Sequence, residues 1–227
     1  MSNWNTGARA AFDVETTGRD PRQARLVTAS IVVVDGDGRT TDEHEWLANP
    51  GVEIPAEVTA IHGVSTAHAV EHGLPVARVL AEIGAVLADL FAQGIPVIAY
   101  NASYDFTVLS AESARHGVPA VDASLVIDPY ICNKQVDKYR RGSRTLGALC
   151  QEYGVALEDA HTSAADALAT IRLAEALASK YPVLAVDAAT LHHQQIGWAK
   201  AQAADFQSYL RRTKPEAVIE GDWPVLP

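Results

Sequence analysis

The chain has 227 residues, 48% hydrophobic and 20% charged, which suits one globular domain with appended helices and excludes a disordered or fibrous protein. No stretch approaches the roughly 18 apolar residues a membrane helix needs, and the start, MSNWNTGARA, lacks the pattern of a secretory signal, so a cytoplasmic protein is expected. A formal net charge of −10 weighs against a polyanionic partner unless basic residues are kept local, and two cysteines without a CxxC pair argue against a zinc site or a disulfide framework.

AAFDVETTGRDP, starting at Ala10, opens as an apolar strand and ends in turn residues. RLVTASIVVV and RTTDEHEWLA flank DGDG, a hairpin signal, so the first three strands form a meander. NPGVEIPAEV and IHGVS read as loop or short-helix material, and Pro75 suits the first turn of a helix that runs to about Phe91. IPVIAY is then a short buried strand, a helix follows and stops at Gly117, and SLVIDP is another strand or extended segment. Further helices are expected over about residues 144–153, 163–181 and 186–213. The last carries Ile196, Ala199, Ala203, Phe206 and Leu210 on one stripe, which should pack on the domain or on a second chain. Antiparallel strands first and βα units later predict an α/β fold with a mixed five-stranded sheet and helices on its faces. The expected division is residues 1–182 as the main domain and 183–227 as a C-terminal helix and tail.

Asp13 and Glu15 are two apart on a strand and therefore share a face, while Phe12 and Val14 take the other. Two close carboxylates repel, and burying either without a partner is costly, so something positive should lie there. Asp105 falls in the first turn of the helix after IPVIAY, where Asn101 or Ser103 could cap it, and an acid there suits the helix dipole. In HTSAADALAT, Ser163 and Asp166 have capping-box-like spacing, so each acid taken singly is equally a helix-start residue. Asp166, however, lies on one stripe with Thr170, Leu173 and Leu177, with Arg172, Glu175 and Ser179 opposite, so it points inward. His161 falls in the loop before that helix and can overhang the same place. Four inward acids without a soft ligand favour divalent cations, Mg²⁺ or Mn²⁺, and two of them could clamp a phosphodiester.

FDVETTG, NASYDF and HTSAADA, with IHGVS between the first two, resemble the motifs of the DEDDh 3′ to 5′ exonuclease superfamily over about residues 9–180. Within it the chain is similar to the proofreading, epsilon-type members that serve bacterial replicative DNA polymerases. The resemblance implies a ribonuclease-H-like fold, two bound Mg²⁺ or Mn²⁺ ions, and release of nucleoside 5′-monophosphates from a nucleic acid 3′ end, DNA favoured. It implies Asp13, Glu15, Asp105 and Asp166 as metal-binding acids and His161 as general base. It also implies a terminal-nucleotide pocket: Thr16 and Thr17 at the sugar, Ile61 and His62 at the base, Tyr104 near the scissile end and Asn101 toward the phosphate. A DNA polymerase is the partner implied, and no membrane. An RNA-trimming relative and a non-catalytic nucleic-acid or polymerase-binding module are the competing readings. A phosphatase with Asp13 as nucleophile would leave Asp105, His161 and Asp166 without a joint purpose. NKQVDKYRRGSR, ending at Arg144, is the clearest basic cluster, able to track the phosphates of a single strand with Tyr139 for stacking, and equally readable as a solvated loop.

Overall fold

The computed structural model describes residues 3–157 and 163–227. Strands β1 (Arg9–Thr16), β2 (Leu26–Val34) and β3 (Thr40–Asn49) form the expected antiparallel meander. The DGDG hairpin closes through Asp35, whose carboxylate accepts the backbone N–H of Asp37 and of Arg39, and Gly38 supplies the left-handed φ of 79°. Two short helices, α1 (Ala56–His62) and α2 (Thr66–His72), lead to β4 (Leu74–Pro75), which adds to β3 in parallel. The sheet thus has six strands rather than five, in the order β4-β3-β2-β1-β5-β6. The extra one is a two-residue pairing too short to leave a pattern in sequence. Pro75 closes it and caps α3 (Val76–Ala92) instead of entering the helix.

Beyond α3 come β5 (Val97–Ile98), α4 (Ser103–His116), β6 (Val126–Ile127), α5 (Pro129–Val136), α6 (Leu146–Tyr153), α7 (Ser163–Lys180) and α8 (Ala188–Leu210). Strands β1, β5 and β6 are parallel, so their C-terminal ends share one edge of the sheet. Both faces are covered. Phe12, Val14 and Ile31 pack with Leu80 and Ile83 of α3 and Phe106 of α4, while Ala11, Val32 and Ile98 pack with Ile171 and Leu173 of α7. Burial on both sides explains why β2 reads as a nearly unbroken apolar run.

Helix α8 covers the exposed edge of the sheet with polar side chains. His192 Nδ1 meets Val126 N–H at 3.0 Å, and the Gln195 amide donates to Val126 O at 3.1 Å and accepts from Asp128 N–H at 2.7 Å. An edge strand that would otherwise offer free backbone groups is capped in this way. The buried face of α8 is therefore Leu191, His192, Gln195 and Ala199, and the expected apolar stripe departs the domain at Phe206, which is half-exposed. The tail is anchored by Trp223, buried against the His192 ring at 5.0 Å. No described helix is long and apolar enough to cross a membrane.

Arg9 begins β1 with its side chain 3% exposed, bonded to the carbonyls of Gly7 and Asp35 and to the Glu175 carboxylate on α7. Removing one partner of a buried pair leaves an uncompensated charge. Glu175→Ala is expected to destabilise the fold by about 3 kcal/mol, read from urea unfolding, and Arg9→Met/Glu175→Leu by much less.

Candidate active site

Strand β1 outruns its neighbour. Among the described residues β5 pairs with it only at Ala10 and Ala11, and none forms a strand along that edge of β1 beyond this point. The chain leaves β5, turns at Asn101 with a left-handed φ of 62°, and enters α4. Asp105, in the first turn and 3% exposed, then places its Oδ1 3.1 Å from the Val14 N–H. A carboxylate stands in for the missing strand. Neither Asn101 nor Ser103 caps α4 by its side chain, because the cap position belongs to Ala102 and makes no side-chain bond. The turn is held instead by Asp128 at the end of β6, whose carboxylate accepts the N–H groups of Asn101 and Ala102 at 3.0 Å each, Tyr130 N–H at 2.9 Å and Trp223 Nε1–H at 3.3 Å. Burial pushes Asp128 up to about 6 against those donors. An acid before proline at a helix start is the sequence signal that could have singled it out.

Arg9, Ala11, Asp13 and Glu15 alternate onto the face of β1 that α7 covers. From α7, Asp166 reaches the same place. Asp13 is held well above the ordinary carboxylate range by burial first and then by the negative charges of Asp105, Glu15 and Asp166. Glu15 is pushed up to about 7 by burial and then by Asp166. Burial likewise lifts Asp105, against the opposing hydrogen bonds from its own N–H and that of Val14, with Asp128 and Glu15 adding to the rise. The structure thus brings Glu15, Asp105 and Asp166 within electrostatic reach of Asp13. No three His, Cys, Asp or Glu side chains among the described residues are already closed around a common point that could hold an ion. The chemistry of the donor set still fits hard divalent cations: every group is a carboxylate oxygen, repulsion and burial both favour a positive guest, and Ser30 Oγ, buried and directly across from Asp13, has no hydrogen-bond partner among the described residues.

The pocket residues fall around the end of β1. The Tyr104 hydroxyl bonds Thr16 Oγ1 and donates to the Gly18 carbonyl, which fixes the turn after Glu15. Thr17 Oγ1 accepts Arg25 N–H at 2.9 Å, and its N–H donates to Arg25 O, so it closes the loop back to β2. The His62 ring accepts Val64 N–H at 3.1 Å and is pushed down by burial, opposed by the backbone carbonyls of Thr16 and of His62 itself. Ile61 next to it is 51% exposed on α1 and so is not core filling. Asn101 is exposed at the mouth of α4. His161 lies outside the described residues.

A family model described as exonuclease, of the RNase T type, matches residues 10–174. DNA polymerase III PolC-type of Streptococcus pneumoniae is 30% identical over 162 residues, 71% of this chain and 10% of that protein. The Streptococcus thermophilus counterpart is 28% identical over the same shares. The chain thus spans about a tenth of these relatives. Among solved structures, exonuclease I of E. coli in complex with a dA16 oligonucleotide matches with TM-score 0.65 at 18% identity, over 78% of this chain and 42% of that one. Exonuclease I from Methylocaldum szegediense gives 0.63 at 21% identity with the same coverage. The zinc-bound form of the E. coli exonuclease I complex with single-stranded DNA gives 0.65 at 18%, again with that coverage. At these identities the likeness is one of fold.

Raised carboxyls in the folded chain bind protons that the unfolded chain has already released. Glu15 therefore contributes stability that is fully present below about 4.5 and is lost as pH rises to about 7. In chelator, Glu15→Gln should flatten the fall in melting temperature between pH 5 and pH 8, with the variant a few degrees more stable at pH 8. Mn²⁺ should raise the wild-type melting temperature at pH 8 more than that of the variant. Parallel wild-type and variant curves in chelator would contradict the charge cluster.

Proposed function

Because the chain belongs to the RNase T exonuclease family, we propose that it is a metal-dependent 3′ to 5′ exonuclease that shortens DNA from its free 3′ end and releases nucleoside 5′-monophosphates. The observation that carries this is the convergence of Asp13, Glu15, Asp105 and Asp166 at the end of β1, with burial and mutual repulsion lifting the carboxyls of the first three. These four residues would hold two Mg²⁺ or Mn²⁺ ions. Bound there, the cations neutralise phosphate charge and lower the pKa of the attacking water.

The chain's own groups do the rest. His161 takes the proton of the attacking water, the bond from phosphorus to the 3′ oxygen breaks, and that oxygen leaves as the new 3′ hydroxyl once protonated. The Thr16–Tyr104–Gly18 cluster gives the turn after Glu15 a fixed shape against which the terminal sugar rests, with Thr17 closing the same loop. Ile61 and His62 offer an apolar face for the last base, and Asn101 stands toward the phosphate. Residues 1–182 form the exonuclease unit, and 183–227 form a helix and tail that seal its edge. The PolC-type relatives support DNA as substrate and a polymerase as partner.

The test is digestion of 5′-labelled single-stranded DNA, mismatched duplex and RNA in Mg²⁺ or Mn²⁺. A ladder shrinking from the 3′ end of the DNA is expected, abolished by chelator and lowered on the order of a thousandfold in Asp13→Ala, since metal-site charge stabilisation contributes several kcal/mol. A ladder on RNA alone would move the assignment to an exoribonuclease, and no ladder on any substrate would defeat it.

The general base must be neutral to accept a proton, and imidazole titrates near ~6.5. Between pH 7.5 and 5.5 the rate should fall roughly tenfold from His161 alone. A profile flat to pH 5 would remove His161 from that role.

A further inference from the structure

We propose that the groove between α5, the segment that follows it and α8 is a binding track for single-stranded DNA, receiving the strand as it runs away from the 3′ end. The proposal rests on the exonuclease reading for its direction and on the groove's own chemistry for its ligand. Of the 18 lysines and arginines in an acidic chain, five fall within the twelve residues that end at Arg144. Three of them, Lys134, Lys138 and Arg144, line the groove, while Arg140 pairs with Glu152 at 3.4 Å.

The groove has a volume of about 620 Å³. One wall carries Tyr130, Lys134 and Tyr139, and the other carries Phe206, Tyr209 and Arg212. Three of its aromatic rings are left in solvent without a core to fill: Tyr139 is 88% exposed, Tyr209 62% and Phe206 49%. Positive charge is interleaved with them, as Lys134 Nζ lies 5.0 Å from the Tyr130 ring and the Arg212 guanidinium 5.8 Å from the Tyr209 ring. Lys138 bridges to Asp205 at 3.1 Å across the groove, and that carboxylate is the one negative group in its lining among the described residues. Arg144 is held in place by Asn133 Oδ1 at 2.9 Å and by the Asp137 carbonyl, so the loop is built rather than slack. Burial and then the positive charge of Arg144 push Lys134 down, a strain that a phosphate beside them would relieve.

The groove also leads to the right place. A second depression, of about 240 Å³, shares Tyr130, Lys134 and Phe206 with it and continues to Asn101 and Ser103, two residues short of Asp105. Its far wall carries Glu220 and Asp222 of the tail, with Glu220 paired to Arg22 at 2.5 Å, so the phosphates must follow the α5 side. Basic groups spaced among unburied rings suit a polyanion whose bases stack, and an acidic peptide would leave the rings unused.

The test compares three proteins in an Asp13→Ala background, which binds without cutting: the parent, Tyr139→Ala/Tyr209→Ala, and Lys134→Ala/Arg212→Ala. Binding of 5′-fluorescein dodecathymidylate is followed by anisotropy, with melting temperatures confirming that each variant folds. Each pair should weaken binding roughly tenfold or more. The second pair should also reduce the slope of log affinity against log salt by about 1.4, the value for two lost phosphate contacts on a single strand. Unchanged affinity in low salt in both pairs would overturn the track. With Asp13 restored, hydrolysis of the p-nitrophenyl ester of thymidine 5′-monophosphate, too small to reach the groove, should be the same in all three. Failure of all three to hydrolyse it would count against the exonuclease reading, while the binding comparison would still decide the groove.

Discussion

Like charges half-buried at the end of a strand, beside the fully buried Asp105, set the terms for the rest of the molecule. Two carboxylates about 6 Å apart repel by roughly 3 kcal/mol at an effective dielectric constant of 20, and desolvation adds to that. A chain can meet such a cost by protonation or by binding cations. The raised Asp13 and Asp105 carboxyls and Glu15, lifted to about 7, express the first outcome, and the same field would favour the second. A site that titrates this way and one that attracts divalent ions are therefore a single physical object seen under two conditions.

Something must hold the acids together against that repulsion, and it lies at the other end of the same two elements. Arg9 and Asp13 are four residues apart on β1, ~13 Å at strand rise, while Asp166 and Glu175 are nine apart on α7, ~13.5 Å at helix rise. The lengths match, so the Arg9–Glu175 pair fixes at one end the alignment that brings Asp166 toward Asp13 and Glu15 at the other. Attraction at the start of β1 offsets repulsion at its finish. Asp105 is secured separately by Val14 N–H and by the four donors that converge on Asp128. Glu112, fully buried further along α4, accepts Leu26 N–H at 3.1 Å and pairs with Arg25 and Arg115, tying α4 to the strand across from Thr16.

What was legible in sequence follows from which forces leave a periodic trace. Alternation on β1 put Asp13 and Glu15 on one face, and the stripe through Thr170, Leu173 and Leu177 turned Asp166 inward; both hold because apolar burial repeats with the element. Elements fixed by hydrogen bonds instead leave no period. Helix α5 is eight residues long and leaves no period of its own: Pro129 falls at the end of the expected strand and residues 133–136 in the basic segment, although Asp128 and Pro129 mark the helix start. The buried side of α8 includes His192 and Gln195, chosen to satisfy the edge of β6, and a search for apolar spacing passes over both. The same holds for Asn101, whose left-handed turn is secured by an acid 27 residues away, and for Trp223 in a tail with no helical pattern.

The placement of α8 links the edge of the sheet to the surface chemistry. A helix of 23 residues extends ~35 Å, well beyond what capping a two-residue edge strand requires. Its first half spends its side chains on β6 and the core. The second half runs on past α5, where Phe206 and Tyr209 face the basic segment and have nothing apolar to cover. In this acidic chain the gap between α5 and the overhanging half of α8 gathers Lys134, Lys138, Arg144 and Arg212 in one place. Acids gather at the end of β1 and in the first turns of α4 and α7, and cations line the adjoining groove, so the two signs of charge occupy separate parts of the molecule.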